Sequence, residues 1–168
     1  MKNKVLVIVS LIFGFILGII FTGIAVNISS GKMMVKEIKS PYDFDKTVEV
    51  LSDRINNLEG WHVTGIIDQS KEVAENGGFP VGHYKIIKYC SGSFSARMLQ
   101  ADDRKFMGTM MPKSFSVYQK SDGQVYVATF NGAILGKIFG GEVEKIIEEV
   151  SLDVEKMMSF INFKTTTF

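Results

Sequence analysis

FSVYQKSDGQVYVATF, residues 115–130, is the stretch that decides the fold. Phe115 to Gln119 and Gln124 to Phe130 read as two strands joined by Lys120-Ser121-Asp122-Gly123. Asp-Gly at the end of so short a loop is a hairpin signal, because both residues accept the left-handed backbone that tight turns need. A hairpin means antiparallel pairing, and the neighbouring segments are spaced to join it.

Upstream, Gly82 to Cys90 reads as a strand in which Tyr84, Ile86 and Lys88 alternate with Lys85, Ile87 and Tyr89, so neither face is purely polar. Ser93 to Asp103 has helical spacing through Phe94, Ala96, Leu99 and Gln100. Trp61 to Asp68 is a third strand, with Trp61, Val63 and Gly65 on one face, and Glu75-Asn76-Gly77-Gly78 is a turn. Met33 to Lys39 is a fourth, stopped by Ser40-Pro41 because proline lacks the ladder donor. Between these lies a helix, Phe44 to Leu58, capped by Asp43 and ended by Gly60. Its apolar residues Phe44, Val48, Leu51, Ile55 and Leu58 recur at three- and four-residue steps and form one buried stripe. Downstream of the hairpin, Gly132 to Gly141 reads as a glycine-rich connection that allows close backbone packing. Glu142 to Ile161 is the longest helix of this region, its stripe running from Val143 to Ile161. The order β-α-β-β-α-β-β-α predicts an α+β domain, an antiparallel sheet of four or five strands with two long helices on one face.

The N-terminal region is different in kind. Val5 to Val26 is a run of 22 residues without a charge, its only polar side chains being Ser10 and Thr22. A hydrocarbon core of about 30 Å takes roughly 20 helical residues, so the run predicts one membrane span. Gly14, Gly18 and Gly23 are tolerated in lipid, where the backbone bonds internally, and Gly14 with Gly18 makes a small-xxx-small pair through which two helices can pack. A cleaved signal peptide would have a shorter apolar core and a small-x-small cleavage site. Ala25-Val26-Asn27 makes no such site, and with Cys90 the sole cysteine there is no lipobox. The expected organisation is therefore an N-terminal tail and anchor over residues 1–27, a linker over 28–33, a soluble domain over 34–163 and a tail over 164–168. Lys2 and Lys4 before the span favour a cytoplasmic N-terminus and an extracytoplasmic domain at the cell membrane, although Lys32, Lys36 and Lys39 follow it. Without Lys2 and Lys4, 17 of the 19 basic residues remain against 18 acidic ones. So balanced a charge argues against nucleic acid, which needs a basic face to displace counterions.

Several short pieces of the soluble region together resemble a known family, the domain of unknown function 302. They are Ser40-Pro41-Tyr42-Asp43-Phe44 with Thr47, Gly60-Trp61, Tyr89-Cys90, Ala96 with Leu99-Gln100-Ala101-Asp102, Met111-Pro112, and Val117-Tyr118 before Asp122-Gly123. The resemblance implies a β-α-β(4)-α fold like that of TATA-binding protein, usually a homodimer, with no agreed activity. A shared fold does not bring DNA binding with it. Family members often show Cys-Asn-Pro where this chain has Cys90-Ser91-Gly92, and a second cysteine where it has Lys113. The simplest thiol-pair chemistry therefore lacks a partner here.

The residues offer few reactive constellations. Cys90 is the one candidate nucleophile, and it would need a base within hydrogen-bond reach. His83 lies seven residues earlier on the same expected strand, on the opposite face and about 23 Å away at the usual rise. His62 lies on another strand and can approach. His62, Cys90, Met110 and Met111 include soft donors suited to a metal such as Cu(I), but their spacing matches no ligand pattern and methionine is a routine core filler. Gly132 to Gly141 lacks the Gly-Lys-Ser/Thr ending of a phosphate loop, and Asp102-Asp103 splay about 100° apart in a helix. No cofactor is expected. Trp61, Tyr84, Tyr89, Cys90, Phe115 and Tyr118, with Phe106 and Tyr126, are candidates for the wall of an apolar pocket or for plain core. The expectation is a membrane-tethered, non-catalytic domain that binds a small apolar ligand or a protein, with thiol chemistry at Cys90 and soft-metal binding as the alternatives.

Overall fold

The 115–130 hairpin lies inside a five-stranded antiparallel sheet, β4 (Lys113–Gln119) pairing with β5 (Val125–Phe130) from Ser116↔Ala128 to Gln119↔Val125. The structure, a computed structural model, describes residues 2–161. The chain divides into two compact units after Met34.

The first unit is one helix, α1 (Lys2–Met34), which continues through the 28–33 stretch read as a linker. The strand that follows accordingly begins at Val35 rather than Met33. Lys4–Gly23 has a mean hydropathy of 2.9 and is long and apolar enough to cross a membrane.

In the second unit, β1 (Val35–Lys39), β2 (Trp61–Asp68) and β3 (Tyr84–Ser91) complete the sheet, whose order is β1-β5-β4-β3-β2. Side chains alternate between faces, and the register sorts them. One face carries Ile38, Val125, Val127, Phe115, Val117, Ile87, Tyr89 and Trp61. Helices α2 (Phe44–Asn56) and α6 (Gly141–Met157) cover that face with Val48, Leu51, Ile55, Ile146, Val150, Val154 and Met157, closing a single core. This is the α+β arrangement the hairpin implied.

The opening of α2 shows why Ser40-Pro41-Tyr42-Asp43-Phe44 and Thr47 belong together. Asp43 accepts from Lys46 N at 2.8 Å, capping the first turn. The buried Thr47 hydroxyl bonds Asp43 O at 2.6 Å and lies 2.7 Å from Ser40 Oγ, fixing the strand's exit to the helix's start.

Two helices were not legible. α3 (Gln69–Glu75) has no buried residue and so no apolar stripe to announce it. α5 (Gly132–Phe139) occupies most of the glycine-rich stretch read as a connection. Its glycines do serve close packing, but from within a helix. A Cβ on Gly132 would overlap Ser151 Oγ and lie 3.3 Å from Ser151 Cβ, and one on Gly136 would lie 3.4 Å from Glu144 O. Gly140 and Gly141, both at positive φ, then turn the chain into α6. The helix expected over 93–103 is shorter, α4 (Gly92–Leu99), and a 3-10 helix follows over Asp102–Met110.

Candidate functional site

Where β3 and β5 end and β4 begins, the helix-covered face leaves a partly open cavity of about 100 Å3. Trp61 and Tyr89 form its floor, Phe94 and Met98 of α4 one wall, and Leu135 of α5 with Ile146 of α6 another. Met107, Met110 and Met111 line the side closed by the 3-10 helix, which ends at a cis Met111–Pro112 peptide. Ring contacts hold the floor: Tyr89 stacks on Phe115 at 4.7 Å between centroids, and Trp61 lies 5.7 Å from both Tyr89 and Phe94. Trp61 also donates Nε1–H to Asp153 at 2.9 Å, tying the floor to α6. Arg97 clasps Glu149 through two bonds of 2.7 and 2.8 Å, so α4 is held to α6 above the cavity.

Several polar groups stand among these apolar walls, Ser91, Ser95, Ser114 and Thr129 as well as Tyr89 and Lys113. Tyr89 is fully buried, and its hydroxyl has only a weak interaction with the neighbouring Thr129 hydroxyl, which donates to Ser114 O at 3.1 Å. Burial pushes the Tyr89 phenol well above its ordinary pKa range. Lys113 is the direct cross-strand partner of Tyr89, so their side chains leave the same face of the sheet. Burial draws its amine down to a pKa of about 8. No Asp or Glu lines the cavity, and among the described residues none pairs with Lys113.

Of the six residues proposed for a pocket wall, Trp61, Tyr89 and Cys90 line this cavity. Phe115 lies beneath it as fully buried core. Tyr84 and Tyr118 do not belong to it. Tyr84 is five residues from Tyr89 on one strand and Tyr118 three from Phe115 on another, and odd separations place side chains on opposite faces. They stack on each other at 5.1 Å on the uncovered face, with Tyr126 next in the row. Glu37 accepts from Tyr118 and pairs with Lys120 at 2.6 Å; Lys120 above all, then Tyr118, holds its carboxyl below the usual range. Phe106 packs instead on Phe139.

Cys90 stands at the rim, its Sγ 3.1 Å from Ser95 Oγ. His62 is its cross-strand partner, but no hydrogen bond joins them. His83 lies before β3, 5.2 Å from the Phe44 ring, beside a wider hollow that Asp68 and Ser70 also border. Met110 and Met111 share the cavity with Cys90, whereas His62 is not part of its lining. Among the described residues no group of three or more His, Cys, Asp or Glu side chains is placed to hold a metal ion.

The residue that sequence reading passed over is Lys113, noted only as a replacement for a cysteine. A signal was present: Lys113, Phe115 and Val117 share one phase of β4, so the lysine stands in line with two fully buried residues.

The second unit is thus an α+β domain with an antiparallel sheet covered on one face and an apolar cavity at its end. The family profile "Domain of unknown function DUF302" matches residues 36–161, and the chain belongs to that family. A solved structure described as an uncharacterized conserved protein DUF302 from Bacillus stearothermophilus is similar over 77% of this chain and 98% of its own, with a TM-score of 0.67 and 18% identity. At that identity the likeness concerns the fold. No curated protein matches.

Proposed function

We propose that this protein is a membrane-tethered, non-catalytic module that binds a small apolar ligand in the cavity between the sheet and α4, α5 and α6. The observation that carries the reading is the cavity itself: about 100 Å3 of space walled by aromatic, methionine and aliphatic side chains, opening into the core of the domain. Apolar lining gives affinity, and the few polar groups inside give orientation. The tether in this reading is the apolar segment Lys4–Gly23, with the domain on the extracytoplasmic side.

The module acts as a homodimer in the same reading. Its support is the uncovered sheet face, where Val35 and Phe130 are 41% and 47% exposed beside the tyrosine row. A soft-metal reading has one observation in its favour, that Cys90, Met98, Met107, Met110 and Met111 border one cavity. The thiol reading rests on Cys90 alone.

Native mass spectrometry of the full chain released from detergent tests these together. The expected spectrum is a dimer carrying a small organic adduct that is lost on mild activation. A copper mass in place of the organic adduct would favour the soft-metal reading. A bare monomer that also takes up no added small apolar compound would overturn the proposal.

A further inference from the structure

We infer that the cavity selects a short-chain carboxylate, whose anionic end is held by Lys113 and the Tyr89 hydroxyl and whose carbon chain lies among the methionine and aromatic walls. This rests on the binding reading above and names the class of ligand.

The argument is one of unmet partners. Lys113 lines the cavity, and among the described residues no carboxylate, nor any other acceptor, engages its amine. Tyr89 lines the same cavity, and its buried hydroxyl has no partner beyond a weak interaction with the engaged Thr129 hydroxyl. A buried hydroxyl held only weakly and a half-buried cation left without a partner are each costly, and in a folded core such groups are normally satisfied. Cross-strand pairing puts the two on directly opposed positions of one face, at the same end of the cavity. What satisfies both is an acceptor group with negative charge and two oxygens, one for the ammonium and one for the phenol. A carboxylate supplies this. A phosphate dianion would ask for more donors than these two provide, because the Thr129, Ser95 and Ser91 hydroxyls are engaged with Ser114 O, Cys90 Sγ and Ser93 Oγ. The desolvated state of Lys113 agrees, since an anion entering the cavity restores the charge balance that burial removed.

Size narrows the class. A cavity of 150 Å3 accommodates benzene, so one of about 100 Å3 takes roughly four carbon atoms. The walls hold four methionines, whose unbranched side chains adjust to a flexible chain more readily than to a rigid ring.

The test compares butanoate with butyramide, which match in shape and differ in charge, on the full chain in detergent micelles. Trp61 is the only tryptophan and lines the cavity, so its emission reports occupancy. Butanoate is expected to change that emission saturably, with butyramide at least about tenfold weaker, the scale of one lost charged hydrogen bond. In Lys113→Met the two should bind alike, and in the wild type butanoate should weaken as pH rises past the titration of Lys113. Equal binding of amide and acid to the wild type would overturn carboxylate selection while leaving the apolar-ligand reading intact. Undiminished preference for butanoate in Lys113→Met would overturn the role given to Lys113. If neither compound alters Trp61 emission or the methionine methyl resonances, both this inference and the binding reading fall.

Discussion

Lys113 illustrates how one residue couples a cavity to the pH dependence of folding. Its amine titrates near 8 in the folded protein and near 10.5 in the unfolded chain. Between those values the unfolded state binds more protons, so this residue makes stability rise as pH rises, and below pH 8 its full destabilising contribution is present. Partial exposure of the side chain moderates the effect, which is on the order of 1–3 kcal/mol. Lys113→Met is therefore expected to raise the denaturant midpoint at pH 7, and the difference from wild type should shrink by pH 10.5. A midpoint at pH 7 equal to or below that of the wild type would show the amine to be better solvated than its position indicates. Much of this was legible from the alternation of Lys113, Phe115 and Val117 in β4. What the sequence could not give was the floor across the strand, because Tyr89 and Lys113 become neighbours only once β3 and β4 are in register.

At the scale of elements, the hairpin, α2 and α6 were readable because their turn residues and apolar stripes are local properties. The wall given by α5 was not. Gly132 and Gly136 lower helix propensity, and their contribution comes from the backbone approach they permit to α6. Gly132→Ala measures that approach. Alanine favours the helix by about 1 kcal/mol, yet its Cβ would overlap Ser151 Oγ, and overpacking of this kind costs about 1–3 kcal/mol. The single variant should melt earlier than wild type. In a Ser151→Ala background the same change should be close to neutral, because the remaining contacts, 3.3 Å to Ser151 Cβ and 3.4 Å to Ile147 Cγ2, are ones the helices can relax. Additive effects in this double-mutant cycle would mean that the two helices already yield at this point. The tyrosine row marks the other limit of local reading: aromatic content suggested a wall, whereas strand parity divides those rings between two faces.

For the whole molecule, the buried apolar residues of the core cluster, among those described, run from Val48 to Met158 within the second unit. The α+β fold was legible there, and its family motifs fall mostly on caps, turns and strand ends, with Cys90 among them. Sidedness follows from charge rather than from packing. Lys2 and Lys4 precede the apolar segment, and Lys32, Lys36 and Lys39 follow it, so the proposed orientation depends on a narrow bias. A C-terminal phosphatase reporter, active only after export, is expected to be active in the wild type; activity of a cytoplasm-dependent reporter at the same position would reverse the assignment. Finally, the two edges of the sheet have a consequence for life in a dense array. β1 presents Lys36, Glu37 and Lys39 along its outer border, and β2 breaks its own ladder with an irregularity between Val63 and Gly65. Charged or irregular borders are poor templates for another strand. Two copies meeting edge to edge therefore find little to pair with, and a continuous ribbon of strands is disfavoured at both borders.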